Sequence, residues 1–414
     1  MKAPKPVKYV EDKSLGIIKF GEKNDYPQEL IDVNGLSGQN NTCLLTASKF
    51  LYGDGFVWSD TEFARQAQVR GINDNLLQKI TYDQPFFETI ALRVQYEAGG
   101  KISRVSHWDY STVRFATPPK GEHEPTHAWI SSNWRLPKRP EHKPYKVCLF
   151  DPTKAQGQAV EFVADGGKAE YWFGQLLIWK KYRAGFAYYV QPRWANALNW
   201  VYVDGQTGVF QANNIDNAFM PSVIFIHPGE PTGVTADGVP KKQAIKDALK
   251  KEFQGAENAG NIFHLFKQGA SGEIQVIQFN ANTNSELFIT VKELCDKQIG
   301  KAWAIPNSLI NVETAGKLGN SKEIAEATQY YQNTQVRPEQ NHILNMFKLI
   351  MRYMPGYDPA TELDIANSTP VEFFDSQKID TLAKYLNDKS FAEVLGYAPE
   401  DLKSYNPQAG GTNV

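Results

Sequence analysis

The helix that this sequence writes most plainly begins at a capping box, Thr283-Asn284-Ser285-Glu286, and stops ahead of Pro306. Thr and Glu at that spacing satisfy each other's orphan amides, and the proline pushes Ile305 away from helical angles. Leu287, Phe288, Val291, Leu294, Cys295 and Ile299 run along it as one apolar stripe, so the stretch 284–306 has to lie against something. A second helical stretch, 192–220, opens on Pro192, which suits a first helical turn. Between them lie short strands at 223–226, 262–266 and 274–279, and an amphipathic helix over 241–253 with Ile245, Leu249 and Phe253 spaced by four. Two helical rods around a small β-containing insertion predict a chain in which the rods pack side by side.

The rest of the chain predicts an α+β protein. The first ten or so residues are basic and Pro-rich and read as a loose arm; Asn24-Asp25-Tyr26-Pro27 reads as a turn. Helices are expected over 40–51, over 62–81 and from 84 to about 98. From 99 to 191 the pattern turns strand-rich, with runs at 101–105, 112–115, 145–149 and 159–163. After a loop over 307–319, Asn320 and Glu323 cap a helix that Pro338 should break or kink. Ile343, Leu344, Phe347, Ile350, Met351 and Met354 form a second strong stripe. A strand at 371–374, a helix at 376–387 and a loose tail at 408–414 complete the reading.

Charge bears on function. Lys+Arg number 44 and Asp+Glu 46 in 414 residues. Tight static binding of nucleic acid usually needs a basic excess, because phosphate neutralisation supplies most of the affinity. Near neutrality disfavours it and leaves loose or local contact. Cys43, Cys148 and Cys295 are far apart and in no C-x-x-C pair, which argues against a disulfide framework and a thiolate zinc site. No apolar run approaches the length needed to span a bilayer, so no membrane role is expected. Nor does the N-terminus read as a signal peptide.

Few motifs offer chemistry. His123-Glu124-Pro125-Thr126-His127 matches the H-E-x-x-H zinc pattern, which needs a helix to bring both imidazoles to one face. Pro125 inside it, and Pro118-Pro119 before it, favour a surface loop; a zinc hydrolase using His123 and His127 is the enzymatic alternative. Gly316-Lys317-Leu318-Gly319-Asn320-Ser321-Lys322 looks like a phosphate loop but lacks Ser or Thr directly after the lysine. No catalytic constellation is legible, and no cofactor or metal is expected. Lys241, Lys242, Lys246, Lys250 and Lys251 make the densest positive cluster picked out, either the polar face of a helix or a surface for DNA or a partner protein.

From residue 192 onward the order of elements resembles the portal family of tailed bacteriophages. Asn213-Asn214-Ile215-Asp216-Asn217-Ala218-Phe219-Met220-Pro221-Ser222 looks like the end of the family's first stem helix, leading into a clip strand. Phe253-Gln254-Gly255 and Asn258-Ala259-Gly260 are similar to the clip, and the helix ending at Ala304-Ile305-Pro306 is similar to the second stem helix. Gly316–Ser321 before Glu323 resembles the tunnel loop, and Val336-Arg337-Pro338-Glu339-Gln340 an element of the long wing helix. The resemblance implies a portal-type architecture: a wing (1–191 and 321–374, the latter carrying the long kinked helix), stem helices (192–220 and 284–306), a small α/β clip (221–283), a tunnel loop (307–320) and a short helical C-terminal crown (375–414). It further implies a homo-oligomeric ring, typically a dodecamer, at a capsid vertex of the virion, assembled in the host cytoplasm. Double-stranded DNA would pass through it during packaging and ejection, and the major capsid protein, the terminase large subunit and a head–tail connector would dock on it. Lys317, Asn320 and Lys322 would lie near DNA; Lys241, Lys242, Lys246, Lys250 and Lys251 would face terminase or connector. A structural virion protein without a channel is the other alternative.

Overall fold

The structure, a computed structural model, describes residues 9–216, 285–310 and 321–368, with 223–228, 233–235, 239–241, 243–244, 262–267 and 275–278 between them. A hairpin of β1 (Tyr9–Asp12) and β2 (Ile17–Phe20) leads into α1 (Tyr26–Leu36) and α2 (Gly38–Tyr52). Asn24, at φ 64, turns the chain, and Pro27 sits in the first turn of α1, where the sequence puts a turn. Ser37 separates the helices, its hydroxyl accepting from the Asn40 amide as an N-cap.

The single helix expected over 62–81 is two, α3 (Thr61–Val69) and α4 (Asp74–Phe87). The break is at Gly71, whose φ of 97 no side chain tolerates easily and where a Cβ would stand 2.1 Å from the Val105 carbonyl oxygen. The helix expected from 84 to 98 ends at Phe87 instead. Glu88 turns left-handed and Thr89-Ile90-Ala91-Leu92-Arg93-Val94 becomes a strand. That strand is buried on both faces, so its apolar run shows no alternation to read. The run at 159–163, expected as a strand, lies within α5 (Ala155–Ala164); short apolar runs do not distinguish the two states.

Six strands form the main sheet in the order β5 (Ile102–His107), β4 (Thr89–Tyr96), β9 (Gln175–Lys180), β8 (Tyr145–Leu149), β7 (His127–Ile130) and β6 (Val113–Phe115). Each pairing is antiparallel except β8 with β9, which α5 connects as a crossover. The sheet divides two cores. Ala91 and Leu176 join α1 and α2 on one side; Ile90, Leu92, Val94 and Leu177 meet α3 and α4 on the other. A small antiparallel pair, β3 (Phe56–Trp58) with β13 (Leu363–Ile365), closes the second core.

The latter half begins with α6 (Leu198–Asp216), entered through a 3-10 turn at Arg193–Ala197. Three strands follow, β10 (Val223–Pro228), β11 (Ile262–Lys267) and β12 (Gln275–Gln278), in a separate sheet with β10 central, parallel to β11 and antiparallel to β12. Then come α7 (Ser285–Trp303), α8 (Ser321–Tyr331) and α9 (Arg337–Met351). Pro338 does not break the rod. It has no amide hydrogen for the Thr334 carbonyl, and its ring would strike that oxygen. The chain widens into a π-helical turn over Gln332–Val336, and the Thr334 hydroxyl donates to the Tyr330 carbonyl at 2.7 Å. The stripe on α9 fills the second core with Ile343, Leu344, Met346, Phe347, Ile350 and Met351. The expected elements at 371–374 and 376–387, the tail at 408–414, residues 1–8 of the arm and most of the helix at 241–253 lie outside the described residues.

Candidate functional site

The feature with the most built-in geometry is the antiparallel pair α6–α7 and its root. Trp194 stands just before α6 and Trp303 ends α7; their rings stack 6.1 Å apart at 5°. Phe86 also stacks on Trp194, at 5.4 Å. Both indoles are fully buried, so each N–H needs an acceptor. Trp194 donates to the Phe86 carbonyl and Trp303 to Asn40 Oδ1, each at 2.8 Å. The beginning of one rod and the end of the other are thereby held at one place against α2 and α4.

Farther along, Gly205 lets α6 pass the end of α1, since a Cβ there would come within 2.7 Å of Leu36 Cβ. Beside it Asp204 accepts from the Ser37 hydroxyl at 2.7 Å and from Lys292 Nζ of α7 at 2.6 Å. Lys292 also lies 3.0 Å from Asp296. Burial works against the Lys292 charge, but the hydrogen bonds to Asp204 and Asp296 outweigh it and raise its pKa. Beyond this clamp Phe210 stacks on Phe288 at 5.3 Å. The rods therefore stay in register from their root past the middle of both helices.

Neither buried thiol of this core, Cys43 on α2 or Cys295 on α7, is set up as a nucleophile. Burial pushes the Cys43 thiol up to about 12 and the Cys295 thiol up to about 11, so both stay protonated at neutral pH. A small cleft beside the π-helical turn is lined by Gln84, Glu88, Arg193, Gln335 and Glu339. Its carboxylates are already engaged: Glu88 accepts from the Arg193 amide at 2.9 Å, and Glu339 accepts from Gln84 and Lys181.

The zinc alternative fails on geometry. His123 lies in a bend and His127 begins β7, so no helix runs through the segment and the imidazoles do not share a helical face. Among the described residues no group of three or more His, Cys, Asp or Glu is placed to hold a metal ion, and no helix is long and apolar enough to cross a membrane. Of the lysines singled out from the sequence, Lys241 is exposed. Lys242, Lys246, Lys250 and Lys251 lie outside the described residues, as do Lys317 and Asn320; Lys322 falls in the first turn of α8, its side chain outside them too. Sequence reading missed Asp204, Lys292 and Ser37. A lone Asp in α6 and a Lys in α7 carry no local signal; only the packing of the helices makes them partners.

No protein-family model matches the chain, and no curated protein matches it by sequence. Solved structures do match. One is a chain in the virion of a native gene transfer agent particle, 14% identical, with 90% of this chain and 94% of that one covered at a TM-score of 0.50. Another is a chain in the neck of an empty gene transfer agent particle, at 13% identity, the same coverage and a TM-score of 0.50. A third is an HK97 family phage portal protein from Corynebacterium diphtheriae, at 12% identity, 86% and 98% coverage and a TM-score of 0.44. At such identity what is shared is the fold. This chain is a mixed α and β protein that shares its fold with a chain in the neck of a gene transfer agent particle. The likeness covers 90% of this chain.

Proposed function

We propose that this protein is a portal subunit: a non-enzymatic component of the ring at a capsid vertex of a tailed phage or related particle, through which genomic DNA is packaged and ejected. The observation that carries the reading is the shared fold with a particle neck protein over 90% of the chain. The antiparallel α6–α7 pair, rooted in the main core and bracketing a three-stranded sheet, supports it. In this reading α6 and α7 are the stem, 221–283 the clip, 307–320 the tunnel loop, and the six-stranded sheet with α1–α4, α8 and α9 the wing. Residues 375–414 form the crown.

Copies associate head to tail and close by rotation into a ring, taken to be a dodecamer. Duplex DNA passes through; the capsid protein, the terminase large subunit and a connector dock outside, the last two on the clip surface carrying Lys241, Lys242, Lys246, Lys250 and Lys251. Lys317, Asn320 and Lys322 stand near DNA. Near-neutral overall charge suits a conduit, since strong phosphate binding would stall a moving duplex. Exposed apolar side chains, Ile289 and Leu294 on the α7 rod and Ile324 and Tyr330 on α8, supply surface for neighbouring copies.

Electron microscopy of the purified full-length chain tests this directly. Rings with a central hole, with a mass by light scattering that is an integral multiple of the subunit, are expected; monodisperse monomers at high concentration would sink the proposal. Lys317→Ala should leave rings intact and alter packaging, and lost ring formation would refute the tunnel-loop placement.

A further inference from the structure

Resting on the portal reading, we propose that α5 of one copy packs on the β7–β8 connection of the next copy. An apolar and acidic surface on one face of the main sheet would thereby meet an apolar and basic surface tied to the other face.

Helix α5 is an apolar helix left in solvent. Its only charged side chain is Glu161, yet of its 10 residues only Ala155 is buried. Val160 and Val163, one turn apart, are 65% and 47% exposed, and Tyr171 just beyond the helix is 69% exposed. An isolated helix of this length is marginal in water. One that also turns apolar side chains to solvent marks a surface that something covers. Around it stand Glu161, Asp165 and Glu170, all exposed and in no ion pair among the described residues. Lys168, the one cation in that stretch, lies over the Tyr171 ring.

The complementary surface is the β7–β8 connection, residues 131–144, with the first residue of β8. Leu136 is 42% exposed and Tyr145 is 45% exposed. Lys138 and Lys143, each two residues from one of them, are exposed and have no carboxylate within ion-pair reach among the described residues. Arg139 has Glu141 at 3.8 Å. The backbone there is held: buried Trp134 donates to the Thr112 carbonyl at 2.7 Å, and Ser131 Oγ donates to the His142 carbonyl at 2.7 Å. A partner meeting a surface set in this way loses little loop entropy.

Alternation along β7 and β8 decides which side of the sheet each surface takes. Ala128 and Val147 point into the first core, where α1 packs. His127 and Cys148, their neighbours in sequence, face each other across the ladder and point the other way. Burial lowers the His127 pKa and raises that of Cys148, and the Glu161 carboxylate acts on both, so α5 lies over the face away from α1. The β7–β8 connection belongs to the α1 side, where Arg135 bridges to Asp25 at 3.2 Å and Asp32 at 2.7 Å. The two surfaces therefore do not meet within a copy. Between copies they meet head to tail, the heterologous contact that closes by rotation into a ring. Charge complementarity singles out a second copy as the partner: each surface offers an apolar centre and the charges that the other lacks.

The test uses the full-length chain in a Cys148→Ser background, in which the two remaining thiols are buried. Leu136→Cys and Val163→Cys are made singly and together, and disulfides are driven with copper phenanthroline. The double variant should give a ladder of covalent multimers on a non-reducing gel, and each single variant should run as a monomer. Lys138→Glu/Lys143→Glu and Asp165→Lys/Glu170→Lys should each weaken association about tenfold or more in sedimentation velocity, because like charges then face each other. All four substitutions in one chain should return association to within about threefold of the parent, a rescue that lost folding would not allow. Rings without the ladder, a covalent dimer from either single variant, no loss in the charge variants, or loss without rescue would each overturn the inference and leave the portal reading standing. A parent chain that stays monomeric at high concentration would overturn both.

Discussion

At the scale of single residues, the strongest commitments are buried polar groups that tie distant segments together. Asp204 is 4% exposed in its side chain while Lys292 is 47% exposed. The two halves of this pair are therefore not equivalent. Lys292→Met leaves a buried carboxylate with only the Ser37 hydroxyl, and should cost about 3 kcal/mol. Asp204→Asn keeps a group that can accept from Ser37, leaves Lys292 with solvent and Asp296, and should cost about 1–2 kcal/mol. Urea unfolding of both variants measures the order. Asp83 makes a second test. Burial lifts its carboxyl above the usual range, and the His107 contact at 2.8 Å works the other way. A carboxyl whose proton is held more tightly in the folded state contributes stability that is present below its unfolded pKa and is lost as pH rises through the folded one. Asp83→Asn should flatten that part of the profile, read as melting temperature from about pH 4 upward. Arg114 is wholly buried, and burial pushes its pKa down to about 10, which still leaves it charged at neutral pH. It donates to Asn24, to Gln28 and to the carbonyls of Ser111 and Val113. No sequence pattern announces such an arginine, because three of its acceptors are backbone carbonyls that any residues would supply, and the side chains of Asn24 and Gln28 stand some ninety positions away in the chain.

At the scale of elements, legibility followed periodicity. The α9 stripe and the rod at 284–306 could be read because one face is buried and the other wet, which leaves a 3.6-residue signal. Strand β4 could not, because both of its faces are covered. Nor could the break at Gly71, whose cause is the close approach of β5 from elsewhere in the chain. Pro338 in the sequence implies a disturbed helix, but the form of the disturbance, a wider turn in place of a break, goes with Tyr331 packing on Phe50 and Gln332 reaching the Ser368 carbonyl. Deleting Asn333 would convert the π turn to α and rotate α8 by about 100° relative to α9. Tyr331 would then leave the core, and the melting temperature should fall by several degrees, about 2–4 °C per kcal/mol lost. An unchanged melting curve would show that the extra residue is absorbed without consequence.

At the scale of the whole molecule, the two cores on opposite faces of one sheet and the rods rooted at Trp194 and Trp303 make the paired helices continuous with the body. Trp303→Ala should therefore do more than open a cavity: beyond about 3–5 kcal/mol, it should free the root of the pair and lower the yield of rings in electron micrographs of folded protein. The sequence by itself determined the two rods and the small β insertion between them, since apolar period, caps and prolines are local properties that each segment carries wherever it goes. Only the tertiary structure decided how those segments meet: the antiparallel register of α6 with α7, the Ser37–Asp204–Lys292 clamp, the strand at 89–96 and the bridge from Arg135, beyond β7, to Asp25 and Asp32 at α1. Each of these depends on groups far apart in the chain, and contacts of that kind leave no trace in any one stretch of residues.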